Sequence, residues 1–161
     1  MKKLILLIAI LILPVISAHA QQRTSLRDTG ESLRGISELS VAVILVGDAE
    51  GKLSKSTLQN FLEMRLREAG IRVANSEQSP ELILIINAIK RKSVDLYALC
   101  VDLRVSQDVT LDRNPSIKSS ATTWEMFKML IRGEDNLKNI QDGLQGPMDY
   151  FINDFLRVNP K

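Results

Sequence analysis

The sequence predicts an α+β domain: a two-layer sandwich in which a mostly antiparallel sheet of about five strands carries two helices on one face. Three observations predict this β-α-β-β-β-β-α order. Residues Val41 to Val46 form a continuous β-branched and apolar run, which is typical of a buried strand. Apolar and polar residues alternate from Tyr97 to Asp112, as in a strand with one buried face. Helical spacing of apolar residues follows Ser54 and returns near the C-terminus.

The N-terminus has the layout of a bacterial secretory signal peptide. The basic Met1–Lys3 precedes an almost unbroken apolar stretch from Leu4 to Ile16, and Ala18-His19-Ala20 forms an A-x-A cleavage site. The apolar stretch is too short to span a bilayer, which takes about 20 residues. Residues 1–20 are therefore expected to be removed on export, leaving a periplasmic or secreted protein with no transmembrane segment. The alternative is an uncleaved N-terminal anchor.

The composition excludes several classes of chemistry. His19 is the only histidine and leaves with the signal peptide, which excludes Ser-His-Asp and Cys-His catalysis and histidine-based zinc sites. Cys100 is the only cysteine, and Gln21 stands where a lipid-anchored cysteine would follow the signal. Without Lys2 and Lys3, the 21 basic residues fall by two and equal the 19 acidic ones, which argues against a nucleic-acid surface. No cofactor and no metal site are predicted.

A single domain is predicted for the mature chain. Residues 21–34 are polar and lack periodicity, so we predict a flexible N-terminal arm. Residues 35–161 contain no Pro/Gly-rich linker and are expected to form a single α+β domain.

The first helix carries recognisable signals at both ends. The first strand ends at Gly47, and Ser54 is then predicted to cap the helix. Leu53 and Leu58 occupy the positions of a hydrophobic staple. Gly70 is expected to close the helix in the left-handed conformation.

Three strands are predicted in the middle of the chain. A short strand is predicted at Ile71 to Ala74, a longer one at Leu82 to Ile89, and a hairpin turn at Lys90 to Ser93. The long strand that follows has an apolar face made of Tyr97, Leu99, Val101, Leu103, Val105, Val109 and Leu111. Its polar face holds Cys100, Asp102, Arg104, Ser106, Asp108, Thr110 and Asp112.

The C-terminal part completes the sandwich. A turn at Asn114-Pro115-Ser116 precedes the last strand, predicted from Ala121 to Ile131 with poorer alternation. The final helix carries apolar residues at helical spacing from Leu137 onward and ends at Asn159-Pro160. Gly146-Pro147 is expected to kink or split it, because proline removes a helix hydrogen bond.

The loop Gly47–Lys52 invites comparison with two kinds of binding loop. As a phosphate-binding P-loop its glycine spacing is one residue short, and Leu53 stands where Ser or Thr should bind magnesium. As a calcium loop it offers Asp48 and Glu50 but lacks the regular ligand positions and the closing glutamate. An ordinary strand-to-helix loop is the favoured interpretation.

The polar face of the long strand is the candidate interaction surface, with Cys100, Asp102, Arg104 and Asp108 as its members. Cys100 is either an exposed thiol that could oxidise or a small residue tucked under a loop. Paired carboxylates at ~5–9 Å could serve a glycosidase, but Asp108 and Asp112 would lie about 13 Å apart along a strand. Asp102 and Arg104 are expected to form a surface ion pair.

Two further features have ordinary and functional interpretations. The basic tip Lys90–Lys92 could touch phospholipid headgroups, although charged residues are common in hairpin turns. Trp124 would be an interface anchor if exposed, and we predict that it belongs to the core.

The chain resembles a group of small exported bacterial proteins of unknown function. Five segments carry this resemblance, in this order and spacing: Leu33–Ile36, Glu63–Ile71, Asn114–Ser116, Ala121–Trp124 and Phe151–Pro160. The resemblance covers almost all of the mature chain and implies no activity, cofactor or catalytic residue. The strand and helix order is also similar to that of the lipopolysaccharide-assembly lipoprotein and other small envelope accessory domains, which is a likeness of fold only.

These observations favour a non-enzymatic binding or accessory module of the bacterial cell envelope that docks to an envelope protein. The first alternative is a carrier or sensor of a small apolar or lipid-like ligand held between helices and sheet. The second is a hydrolase that uses carboxylates alone. A flat apolar patch would favour docking, a cavity between the layers would favour the carrier, and paired carboxylates in a cleft would favour the enzyme.

Overall fold

The structure is a computed structural model that describes residues 30–74, 76, 78–91, 93 and 95–160. The predicted signal peptide and most of the predicted arm lie outside the described residues. In the described part, the main elements are β1 (Glu38–Gly47), α1 (Lys55–Glu68), β2 (Arg72–Val73), β3 (Glu81–Arg91), β4 (Leu96–Leu111), β5 (Asn114–Gly133) and α2 (Ile140–Val158). Short 3-10 turns at Glu31–Leu33 and Glu134–Asn139 precede β1 and α2. The predicted element order and α+β class are confirmed.

The strands form one mixed sheet in the order β2-β1-β3-β4-β5. β1 runs parallel to both β2 and β3, and α1 with β2 supplies the crossover that parallel neighbours require. β3, β4 and β5 are antiparallel neighbours joined by hairpins. Both helices pack on the same face of this sheet, so the described part of the chain has two layers.

The core lies between the helices and one face of the sheet. Alternation brings every second residue of β3 and β4 to that face, where Leu84, Ile86, Leu99 and Leu103 are buried. They meet the apolar stripe of α1, which includes Leu62 and Leu66, and that of α2, which includes Met148 and Phe151. Burial of these side chains is the main favourable contribution to folding.

Local sequence signals set the ends of α1 as predicted. The Ser54 hydroxyl accepts a hydrogen bond from the Thr57 N–H at 3.3 Å. At the other end Gly70 has φ +76°, and the Ile71 N–H donates to the Leu66 carbonyl at 2.9 Å. This pattern is the Schellman motif that a glycine after the C-cap favours.

β5 is much longer than the sequence predicts. It spans 20 residues from Asn114, whereas the prediction began at Ala121. The turn predicted at Asn114–Ser116 lies earlier, at Asp112-Arg113, because Leu111 already pairs with Asn114 across the hairpin. Pro115 is tolerated here because β5 is an edge strand, in which a missing N–H can face away from the ladder.

The folded domain begins earlier than predicted. Residues 31–33 were expected in the arm, but they form a 3-10 turn in which Leu33 is fully buried. Asn159 fixes this segment from the far end of the chain: its Oδ1 accepts from the Gly35 N–H at 2.7 Å, and its Nδ2 donates to the Leu33 carbonyl at 2.9 Å. A contact between residues so distant in sequence leaves no periodic signal in the arm.

α2 is continuous through Gly146-Pro147, so the predicted split is wrong. Proline at position 147 cannot donate to the carbonyl of Gly143, one turn earlier. The Lys128 Nζ of β5 donates to that carbonyl instead, at 3.2 Å. A side chain from the neighbouring strand therefore replaces the missing helix hydrogen bond.

Candidate functional site: the open face of the sheet

The open face is the side of the sheet that points away from the helices. Alternation along each strand assigns its members, and the strand register places them beside one another. They are Ile44 and Val46 of β1, Ile83, Ile85, Asn87 and Ile89 of β3, Leu96, Ala98, Cys100, Asp102 and Arg104 of β4, and Glu125, Phe127, Met129 and Ile131 of β5.

Cys100 lies on the open face, as the alternation predicted. On β4 it stands directly opposite Asn87 of β3 and Met129 of β5. The residue is partly exposed. The thiol is therefore reachable from the open face and shares it with the ion pair that follows along the strand.

The predicted ion pair is present on the same strand. The Arg104 guanidinium contacts both carboxylate oxygens of Asp102, and its Nε donates to Oδ1 at 3.3 Å. The hydrogen bond that Arg104 donates to the Asp102 carboxylate raises the pKa of Arg104. The side chains are only 17% (Asp102) and 32% (Arg104) exposed. The pair is therefore a half-buried polar spot in which the two charges neutralise each other. The Asp102 carboxylate is engaged and is not presented as a free acid or base.

Asp108 lies apart from the other candidate residues. A register shift follows Val105, and Asp108 sits beyond it, opposite Ser120 on the outer part of the β4–β5 hairpin. It borders a polar groove of about 470 Å³, lined also by Ser40, Gln78, Ser79, Pro80, Glu81, Ser106, Gln107 and Ser120. Six residues of strand separate it from Asp102, about 20 Å at ~3.3 Å per residue, which is too far for a catalytic carboxylate pair.

In the described part of the chain, no three Asp, Glu, Cys or His side chains gather closely enough to hold a metal ion.

The open face is largely apolar, which was not predicted from the sequence. Phe127, Met129 and Ile131 of β5 are 60%, 73% and 70% exposed, and Ile89 of β3 is 66% exposed. The available signal was the poor alternation of the last strand. It is poor because apolar residues occupy both of its faces: Trp124, Met126 and Leu130 lie on the helix side and Phe127, Met129 and Ile131 on the open side.

The loop compared with a P-loop is held by its own protein neighbours. The Asp48 Oδ2 accepts a hydrogen bond from the Lys90 N–H at 2.6 Å. Glu134 lies between two ammonium groups, at 2.8 Å from Lys52 Nζ and 2.5 Å from Lys90 Nζ. Lys90 also lies 5.4 Å from the centre of the Tyr97 ring.

The β3–β4 turn comes later than predicted, because Lys90 belongs to β3. Lys92 of the basic tip lies outside the described residues.

Glu134 is expected to titrate far below an ordinary glutamate. Hydrogen bonds from Lys52 and Lys90 lower its pKa from 4.5 to about 2. Since the pKa in the folded protein lies below that in the unfolded chain, this carboxylate stabilises the fold above pH 4.5. The stabilisation is lost as the pH falls toward 2. Carbon-detected NMR should locate the titration, and Glu134→Gln should flatten the loss of stability between pH 5 and pH 2.5. Asp135→Asn, at a neighbouring exposed position, is the control variant, and equal slopes for Glu134→Gln and the parent would contradict the assignment.

Three of the segments that carry the sequence resemblance meet at one corner of the molecule. The Trp124 Nε1 donates to the Asp154 carboxylate at 3.1 Å, and the Trp124 ring packs edge-on against Phe151 with centroids 5.0 Å apart. Trp124 is 2% exposed, which confirms its place in the core. Together with the Asn159 hydrogen bonds to Leu33 and Gly35, these contacts hold the N-terminal segment and α2 against β5. The segments therefore have a structural role at this corner.

Comparisons with known proteins give distant likenesses only. No model of a known protein family matches the chain, and no curated protein matches it. Among solved structures, it is similar to a minor lipoprotein from Acinetobacter baumannii, with 12% identity and a TM-score of 0.32 over 78% of this chain and 87% of the other. It is also similar to PelC, a dodecamer from Paraburkholderia phytofirmans, with 14% identity and a TM-score of 0.35 over 78% of this chain and 88% of the other.

Across the described residues, no helix combines the length and the apolar character that crossing a membrane requires.

Proposed function

We propose that the protein is an exported, non-enzymatic binding module of the bacterial cell envelope, and that it docks another envelope protein on its open face. The predicted signal peptide supports export. The observation that carries the proposal is the group of exposed apolar side chains on four adjacent strands, from Ile44 on β1 to Ile131 on β5.

The dimensions of the open face fit a docking surface. Four strands spaced ~4.8 Å apart, over about six residues at ~3.3 Å each, span about 20 Å by 20 Å, or about 400 Å². Apolar patches on monomers reach about 300–600 Å² and are often functional. A partner that covers this area would remove the exposed side chains of Phe127, Met129 and Ile89 from water, which is the main source of binding free energy.

The Asp102–Arg104 ion pair on the open face would fix the orientation of a bound partner. Asp102 and Arg104 neutralise each other, so covering them costs less than burying an unpaired charge. Their remaining hydrogen-bonding capacity sits at a fixed place among apolar side chains. A partner has to match that polar spot, which favours specificity over raw affinity.

Within the part of the chain that the structure describes, the geometry supports the two other functions considered from the sequence less well. A carrier needs a cavity between helices and sheet, whereas the large groove in the described part lies outside the core and is lined mostly by polar residues. Leu62, Leu84 and Phe151 fill the space between the layers and are fully buried or nearly so. A carboxylate hydrolase would need Asp102 and Asp108 close together, and they lie on separate parts of β4.

The test places a photo-crosslinking amino acid on the open face in living cells. Ile89 is the chosen position, because it is 66% exposed and lies on an inner strand. Met64, 48% exposed on α1 in the other layer, is the matched control. We expect one dominant adduct with an exported envelope protein from position 89 and none from position 64.

A charge exchange then tests the polar centre. The double variant Asp102→Arg and Arg104→Asp keeps an internal ion pair but reverses its direction, so it should abolish the adduct while the protein stays folded. Three results would overturn the proposal: no adduct at position 89, an equal adduct at position 64, or an adduct that survives the charge exchange.

A further inference from the structure

Among the described residues, no strand pairs with the outer edge of β5, which can therefore serve as a template for another strand. β5 is hydrogen-bonded to β4 on one side and ends the sheet on the other. Beyond the register shift at Val105, the ladder with β4 runs regularly from Trp124 to Gly133. Long regular edge strands with apolar side chains tend to pair with further strands, and native proteins usually interrupt or charge them. This stretch carries its most exposed apolar side chains in its middle.

A second copy of the same stretch fits this edge in one antiparallel register. If a twofold axis passes through Met129, this residue faces its own copy. Phe127 then faces Ile131 of the second copy, and Ile131 faces its Phe127. Residues directly opposite on antiparallel strands lie on the same face. All three exposed apolar side chains on the open face of β5 therefore obtain apolar neighbours across the axis.

The charges of β5 are compatible with this register and disfavour two neighbouring ones. With the axis at Met129, Lys128 faces Leu130 and Glu125 faces Gly133, so no like charges oppose each other. An axis at Lys128 would set two lysines face to face.

An axis at Leu130 would set Lys128 against Arg132, and like charges directly opposite on paired strands are destabilising. An axis at Phe127 would set the apolar Met129 against the charged Glu125, so Met129 would lose its apolar neighbour. The Met129 register also lies wholly within the regular stretch from Trp124 to Gly133.

We propose that two copies of this chain associate through antiparallel pairing of β5 about a twofold axis at Met129. The two sheets then form one continuous sheet, and the two open faces become neighbours on the same side. A symmetric contact of this kind is self-limiting, because each copy has used its β5 edge once it has formed. This inference goes beyond the proposed docking function. It depends on the backbone edge of β5, whereas docking depends on the open face.

Disulfide formation between engineered cysteines tests this register directly. The background is Cys100→Ser, because Cys100 stands opposite Met129 on β4 and would compete for the new thiol. Met129→Cys should form a disulfide-linked dimer on mild oxidation, since residues paired on the axis have Cα atoms ~4.5–5.5 Å apart. Phe127→Cys and Ile131→Cys should each give little dimer alone and abundant dimer when mixed. Equal dimer from all three single variants, or none from Met129→Cys, would overturn the register.

Sedimentation of the mature protein without engineered thiols gives the second measurement. We expect a concentration-dependent monomer–dimer equilibrium for the parent chain. Met129→Lys, which places like charges on the axis, should shift it to monomer. Ile89→Lys changes an equally exposed open-face residue away from the edge, so its dimer should persist while docking of an envelope partner is lost. A parent chain that stays monomeric, or a dimer that survives Met129→Lys, would overturn the pairing without bearing on the docking proposal.

Discussion

Replacing Phe151 by alanine is expected to lower the free energy of unfolding by about 3–5 kcal/mol, the usual range for a buried phenylalanine. Phe151 is fully buried between α2 and the sheet. Its ring packs against Trp124 at 5.0 Å and Phe155 at 6.0 Å between centroids. Truncation removes this apolar contact and leaves a cavity that the rigid sheet on one side cannot fill. Urea unfolding followed by the fluorescence of Trp124, the only tryptophan, measures the change.

Tyr150→Ala is the matched control for Phe151→Ala. Tyr150 precedes Phe151 on α2 and also lies near Trp124, with ring centroids 6.3 Å apart, but it is 43% exposed. We expect it to cost about 1 kcal/mol or less, as surface substitutions usually do. Similar losses for the two variants would mean that the layer between α2 and the sheet is loosely packed. The same result would restore the carrier interpretation, since a ligand needs such space.

Gly47→Ala should destabilise the protein by about 2–4 kcal/mol, through backbone strain and a clash that add up. Gly47 ends β1 with φ +64°, a conformation that costs other residues about 1–2 kcal/mol. A Cβ atom there would lie 2.7 Å from the carbonyl oxygen of Ala88 on β3. That oxygen accepts the Asp48 N–H at 2.9 Å, so moving it breaks the hydrogen bond that anchors the following loop.

Gly51→Ala separates these two causes. Gly51 has a similar φ of +73°, but nothing lies within 4 Å of the position where its Cβ would be. Only the backbone strain of about 1–2 kcal/mol is expected there. The urea midpoints of the two variants, compared at equal m-value, give the part of the loss in unfolding free energy that the clash causes. Equal losses would contradict the close approach of β1 and β3 at this point.

The ends of α1 and the long strand β4 could be predicted because their signals are local. Ser54 and Gly70 act on backbone groups within one turn of themselves. The period of two along β4 correctly places Cys100, Asp102 and Arg104 on one face. The cap contacts and the Asp102–Arg104 ion pair join residues that are close in sequence, and alternation is itself a local pattern, so the chain alone contains this information.

Other parts of the fold depended on distant partners. The N-terminal turn at Leu33 is held by Asn159, and the continuous α2 relies on Lys128 of β5 to satisfy the Gly143 carbonyl. Neither contact joins residues that are close in sequence. The arm was therefore predicted too long, and α2 was expected to kink or split at Gly146-Pro147.

By itself, the sequence determined the fold class, the order of the elements and the residues that share each face of β4. Only the tertiary structure decided which strand lies at the edge of the sheet and which apolar side chains of β5 stay exposed. Alternation shows that two faces differ, but exposure depends on what packs over each face. The apolar side chains of Phe127, Met129 and Ile131 thus became a surface only when the two helices occupied the opposite side.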